Sequence, residues 1–139
     1  MSRKIDDLAG ALGFETLESS DSARVVISKR ARKEFNGFEV KPRARIAAAL
    51  KRWCKSQALT EEMMNPNEGR TPKHREMVQA FKAFKVRLYG FERTVGKKRT
   101  FFVVDADPAK KQNKAGPVLD RAKGRADQTL DDLIKKEKG

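Results

Sequence analysis

The sequence predicts an α+β fold: a small, mostly antiparallel sheet with helices from its N-terminal half packed on it and a C-terminal helix. Three observations lead there. Apolar residues recur at spacings of 3 and 4 after Pro42 and again after Pro117, the period of a helix with one buried face. Between those stretches, from Val78 to Asp105, the period shifts toward two, as strands require. The chain has 139 residues, room for one domain with a single core. Residues 1–22 read as a flexible lead-in, and residues 23–139 as that domain.

Taken in order, Ile5, Leu8, Ala9 and Leu12 give a short helical pattern that stops at Gly13, and Glu18 to Ser22 reads as a loop. Ala23 to Ser28 is β-prone, centred on Val25, Val26 and Ile27. Ser28 can cap a helix from Lys29 to Phe35 that Asn36-Gly37 ends. Pro42 suits the first turn of the next helix, whose stripe is Ile46, Ala47, Leu50, Trp53 and Cys54 and which is expected to run to about Met64. Residues 65–76 form a polar loop.

In Phe84 to Gly90, Phe84, Val86 and Leu88 face one way, and Lys85, Arg87 and Tyr89 the other. Phe81 and Ala83 are out of phase with this, which calls for a bulge or a separate strand upstream. Gly96 marks a turn, and Arg99 to Val104 is apolar enough for a central strand ended by Asp105 to Pro108. Lys110 to Lys114 is polar and basic. A helix then opens at Pro117, with Leu119, Ala122, Ala126, Leu130 and Leu133 on one face, and Gly124 weakens its middle and can split it.

Lys and Arg number 32 against 19 Asp and Glu, a formal charge of +13. So lopsided a balance opposes compaction and suits a partner carrying many phosphates. A membrane surface is the competing polyanion, but no stretch pairs a basic face with bulky apolar anchors. No run of about 18 apolar residues occurs, and Asp6 and Asp7 stand where a signal peptide needs an apolar stretch. One cysteine, Cys54, permits no internal disulfide, which fits a reducing cytoplasm. With one Cys and one His, a zinc site of the usual kind is excluded, and no cofactor is expected. Cys-His catalysis would need Cys54 and His74 to meet.

The candidate site residues follow from charge and period. Lys85, Arg87 and Tyr89 share one strand face, and Arg99 lies across the hairpin turn, near them if the register allows. Basic residues on a strand face are also often merely solvated. RNA cleavage by a 2′-hydroxyl needs a proton acceptor, a cation for the charged phosphorane and a donor for the leaving oxygen. Arg meets phosphate with two prongs, a tuned Lys or Tyr can transfer protons, and a Tyr ring can instead stack on a base. Further RNA-binding candidates are Arg45, Arg52 and Lys55 on one helix face, Lys73 and His74 in the polar loop, Lys98 beside Arg99, and Lys110, Lys111 and Lys114. A lone His in a loop is usually a surface residue.

Phe84-Lys-Val-Arg-Leu-Tyr89, a Gly-containing turn and Lys98-Arg-Thr-Phe-Phe102 resemble the paired central strands of the RelE/ParE-like toxin superfamily. The Lys-Lys-Gln-Asn-Lys segment at 110–114 resembles the Lys-Lys-rich signature of its HigB-like and phage-derived branches. The resemblance spans roughly residues 23–135, with its specific part at 84–114. It implies a toxin of a toxin–antitoxin pair, cleaving mRNA on the ribosome and neutralised by a separate antitoxin protein. Lys85 and Arg87 then match the basic residues of the second strand, Arg99 the arginine opening the third, and Lys110 or Lys111 a basic residue after the last. Two departures stand beside it. Tyr89 is the only tyrosine, so the family's C-terminal tyrosine has no counterpart, and few residues separate Val104 from Lys110. Either the sheet is shorter, or 99–105 is itself the last strand and Phe81 to Gly90 holds two strands. In that second register Arg99 loses its role, and His74 gains interest, because HigB-like members use histidine. Two other functions fit the same scaffold: a non-catalytic RNA- or ribosome-binding protein of phage origin, and a ParE-like toxin directed at gyrase.

Overall fold

The computed structural model describes residues 9–108 and 116–138. In chain order these form β1 (Phe14–Ser19), β2 (Ala23–Ser28), α1 (Lys29–Asn36), α2 (Val40–Cys54), β3 (Met64–Asn65), β4 (Gln79–Ala83), β5 (Val86–Val95), β6 (Lys98–Asp107) and α3 (Pro117–Lys138). The six strands make one sheet ordered β1-β2-β6-β5-β4-β3. Only β2 and β6 pair in parallel; every other neighbouring pair is antiparallel. The fold is α+β with a mixed, mostly antiparallel sheet.

β6 lies between β2 and β5, and Thr100 to Ala106 are all buried. That is why its Phe-Phe-Val-Val run is apolar on both faces. One face, through Val25, Ile27, Phe81, Leu88, Phe101 and Val103, packs against Ala31 and Phe35 of α1 and Ile46, Leu50 and Trp53 of α2. Trp53 meets Phe81 and Phe101 edge to face, with centroids 6.3 and 5.8 Å away. The other face, through Val26, Ala80, Tyr89, Phe91, Phe102 and Val104, packs against Leu119, Ala122, Ala126, Leu130 and Leu133 of α3. The stripe read from the sequence is the stripe α3 buries.

Several expectations are corrected. The described part of the expected lead-in is not apart from the domain: from residue 14 it supplies β1, an edge strand paired with β2, and the Phe14 and Phe102 ring centroids lie 5.4 Å apart. The second helix stops at Cys54 instead of running to Met64. Ser56 takes a left-handed φ of 58°, and the Arg52 guanidinium turns back onto the Ala58 carbonyl at 3.0 and 2.7 Å. Gly124 does not split α3, which is continuous over 22 residues. Phe81 to Gly90 holds parts of two strands, β4 and β5, and β6 is the last strand among the described residues, as the second register expects. Strand β6 also runs beyond Val104 to Asp107.

A bulge shapes the middle of the sheet. Tyr89 pairs with Asp105 and Gly90 with Val103, leaving Val104 as an extra residue on β6. Val104 and Asp105 therefore both face α3. Asp105, 1 % exposed, receives Arg121 Nε at 2.8 Å and Arg121 Nη2 at 2.9 Å, and Arg125 Nη1 approaches it at 2.8 Å. Gly90 has no room for a side chain there, since a Cβ would run into the Phe102 carbonyl oxygen.

Candidate nucleic-acid interface

With helices on both faces, the strands offer no open basic face, and the expected platform is corrected accordingly. Tyr89 points under α3 and is 1 % exposed. Burial first, then Glu68 and Asp107, pushes its phenol up to about 12, so it stays protonated and out of reach of a substrate. Cys54 is likewise raised to about 11, chiefly by burial, and lies under α2 on the opposite face from the α3-tethered His74. The two do not meet.

Arg99 does not join Lys85 and Arg87 either. It pairs with Thr94, whereas Arg87 pairs with Asp107, so seven residues of β5 separate them, about 23 Å at 3.3 Å per residue. Arg99 is also engaged: its guanidinium lies 4.2 Å from the Trp53 ring centroid, 3.1 Å from Glu92 Oε2 and 3.0 Å from Ser56 Oγ. Lys98 stands beside it, and exposed Lys55 caps α2. Arg52 serves the helix end, as described.

Lys73 and His74 belong to a third place. Their backbone N–H groups donate to the Asp127 carboxylate at 2.8 and 3.1 Å. Their side chains meet Asp131, one turn further along α3: Lys73 Nζ at 2.8 and 2.9 Å, His74 Nε2 at 2.8 Å. Lys73 and His74 hold the Asp131 carboxyl below its usual range. Burial pushes Asp127 up, but hydrogen bonds from Thr71, Lys73 and His74 outweigh it and its carboxyl is also lowered. This cluster fastens the 70–77 loop to α3.

What the structure does bring together lies at the Arg87 end of the sheet. Strands β4 and β5 are joined by two residues, Phe84 and Lys85. Phe84 takes φ 55°, a conformation hairpin turns usually give to Gly or Asn, and at 56 % exposure it stands out of the protein. This corrects the expectation that Phe84 shares the core face of Val86 and Leu88. Lys85 is an exposed turn residue rather than a strand residue. Arg87 closes the turn, donating from Nη1 to the Phe84 and Val86 carbonyls at 2.8 and 2.9 Å. From α2, Arg45 and Lys41, one turn apart, reach the Phe84 ring with Cζ and Nζ 4.8 and 5.8 Å from its centroid.

Two concavities meet at that ring. One, of about 540 Å³, is lined by Arg45, Thr60, Glu62, Lys82, Phe84 and Arg87 among others. The second, of about 640 Å³, includes Lys41, Pro42, Phe84, Lys85 and Pro108. Five cations thus line the two concavities that share the Phe84 ring, two of them over the ring itself, with Glu62 as a carboxylate in the first concavity. Lys110, Lys111 and Lys114 lie outside the described residues; Lys110 follows Pro108, a lining residue, by two positions. Lys41, Lys82, Glu62 and Phe84 were not singled out by sequence. Lys41 was legible as the i−4 neighbour of Arg45, whereas nothing in the alternation distinguishes Phe84 from a core residue.

Among the described residues, no three His, Cys, Asp or Glu side chains group as metal ligands would, and no helix is long and apolar enough to cross a membrane. Compared with models of known protein families, with curated proteins and with solved structures, the chain finds no match.

Proposed function

We propose that this protein binds RNA at the Arg87 end of its sheet and acts there as a ribosome-dependent mRNA endoribonuclease, the toxin of a pair restrained by its own antitoxin. The observation that carries the reading is the convergence of Lys41, Arg45, Lys82, Lys85 and Arg87 on two adjoining concavities. Cations gathered along adjoining concavities suit a phosphate backbone, and the chain's charge of +13 fits release of counterions on binding. The first concavity also contains the three kinds of group the reaction needs: Glu62 to accept a proton, Arg45 and Arg87 to meet the phosphorane, and Lys82 to donate. The element order supports it as well, since a short strand, basic helices and then a hairpin, β5–β6, that carries Arg87 and Lys98-Arg99 follow one another as the family resemblance implies.

The test is primer extension on mRNA in a reconstituted bacterial translation reaction, with wild type beside Arg87→Ala and Glu62→Gln. Discrete cuts that need ribosomes and are lost in both variants are expected. Arg99→Ala should leave the cut positions unchanged, because Arg99 is spent on Trp53 and Glu92. A second reading, RNA or ribosome binding without cleavage, is favoured by Tyr89, whose burial removes the one tyrosine from any reaction. Absence of cuts at concentrations that still bind RNA would select it. In either case, Lys41→Ala with Lys85→Ala should flatten the salt slope of RNA affinity by about 1.4, at roughly 0.7 per single-strand phosphate contact.

A further inference from the structure

The geometry points to Phe84 as a stacking platform for an unpaired base, which makes the ligand of this interface single-stranded RNA. The inference rests on the RNA-binding reading and adds to it a substrate form and the residue that selects it.

Phe84 is unusual in three independent ways. Its φ of 55° is one that a bulky L side chain rarely adopts, so the turn is strained by the residue it carries. Its ring is more than half exposed, although the chain buries its other described phenylalanines almost completely. Two cations from a different element, Lys41 and Arg45, are aimed at it. A Gly or Asn would form the same turn without strain, so neither turn geometry nor core packing accounts for a Phe there.

An exposed π-face flanked by cations meets the needs of a splayed nucleotide. The base stacks on the ring, which every base can do whatever its identity, and the adjoining phosphates lie against the cations. The two concavities that meet at the ring let a strand pass across it, with Arg45, Lys82 and Arg87 on one side and Lys41 and Lys85 on the other. A duplex keeps its bases stacked on each other and presents none to the ring, so it can engage the cations but not Phe84. Phe84 thereby fills the stacking role that Tyr89, buried under α3, cannot.

The experiment measures binding of the full chain to a short RNA containing 2-aminopurine, alone and annealed to its complement, by anisotropy and by 2-aminopurine fluorescence over a range of salt. Phe84→Gly removes the ring and relieves the strained φ, so it is expected to fold at least as well as wild type; Phe84→Trp keeps a stacking face. Wild type and Phe84→Trp should bind the single strand at least about tenfold more tightly than the duplex and alter the 2-aminopurine signal. Phe84→Gly should lose about tenfold in single-strand affinity with its salt slope unchanged, because no phosphate contact is removed. Single-strand affinity in Phe84→Gly within twofold of wild type, or equal wild-type affinity for both forms, overturns the inference while leaving RNA binding intact, and would leave the ring to a protein partner. Wild type that binds neither form overturns both.

Discussion

Removing the carboxylate of Asp105 tests how α3 is held on the sheet. The bulge at Val104 turns Asp105 toward α3, where it is 1 % exposed and accepts two hydrogen bonds from Arg121, with Arg125 ion-paired beside them. Breaking a fully buried pair from one side costs about 3–5 kcal/mol, because the other charge is left desolvated. Here that figure needs a discount. The Arg121 side chain is half exposed and can return to water, so its share is closer to that of a surface pair. Arg125 has no such exit: its side chain is 23 % exposed, and burial already disfavours its charged form. Asp105→Ala should therefore cost about 2–3 kcal/mol. For a chain of 139 residues the unfolding entropy near 60 °C is about 0.3 kcal/mol/K, so Tm should fall by about 7–10 °C. Urea denaturation and calorimetry at neutral pH read this directly, and Arg125→Met in the Asp105→Ala background should restore part of the loss. A stability within about 0.5 kcal/mol of wild type would refute both the pair and the bulge that aims Asp105.

Three other outcomes are expected. Tyr89 is the only tyrosine, so absorbance at about 295 nm follows it alone; because burial raises its phenol from 10 to about 12, the neutral form is the one the fold holds. Its contribution to stability is full below about pH 10 and lost between about 10 and 12, and a midpoint near 10 in folded protein would contradict its burial. Asp127 and Asp131 have lowered carboxyl pKa values, so the tether they give the 70–77 loop is intact above about pH 4 and lost as pH falls below that. Asp127→Asn should make acid unfolding shallower, and an identical pH slope would exclude the tether. Gly124→Ala, with open space at the new Cβ inside α3, should stabilise by about 0.5–1 kcal/mol, whereas Gly90→Ala should destabilise by about 3 kcal/mol or more, because its obstacle is backbone; equal effects in the two would contradict the β5–β6 register.

Legibility divided along a physical line. The stripe of α3, that of α2 apart from Ala47, whose buried place Ala49 takes, the Ser28 cap, the central β6 and the β5–β6 hairpin depend on local period and turn chemistry, which can be read from the sequence. Long-range partners left no such trace. The residues Lys85, Arg87 and Tyr89 do alternate with Val86 and Leu88, but period two states only that they share a face, not that α3 covers it. Arg99 was placed by pairing across a turn, and the register instead put it seven residues away along β5. Phe84 misled because a positive φ at a Phe has no sequence signature, and one such residue converts a strand start into a turn. Similarly, β1 was hidden in a segment whose polar residues, Glu15, Thr16 and Glu18, suit an edge strand exposed on one side.

The single parallel pairing in the sheet has a consequence for how the protein is made. Ile27 on β2 lies beside Val103 on β6, 76 residues later in the chain. At a synthesis rate of about 5–20 residues per second, β2 waits about 4–15 s for the strand that completes its ladder. Until then, α1 and α2 can form only as isolated turns of helix over an unfinished sheet, and β2 offers its free edge to any other chain nearby. The turn carrying Phe84 and Lys85 is translated before β6 but gains its neighbouring strand only afterwards. The β4–β5 turn therefore gains its full support only after β6 is made, and a product truncated before Lys98 should be prone to aggregate.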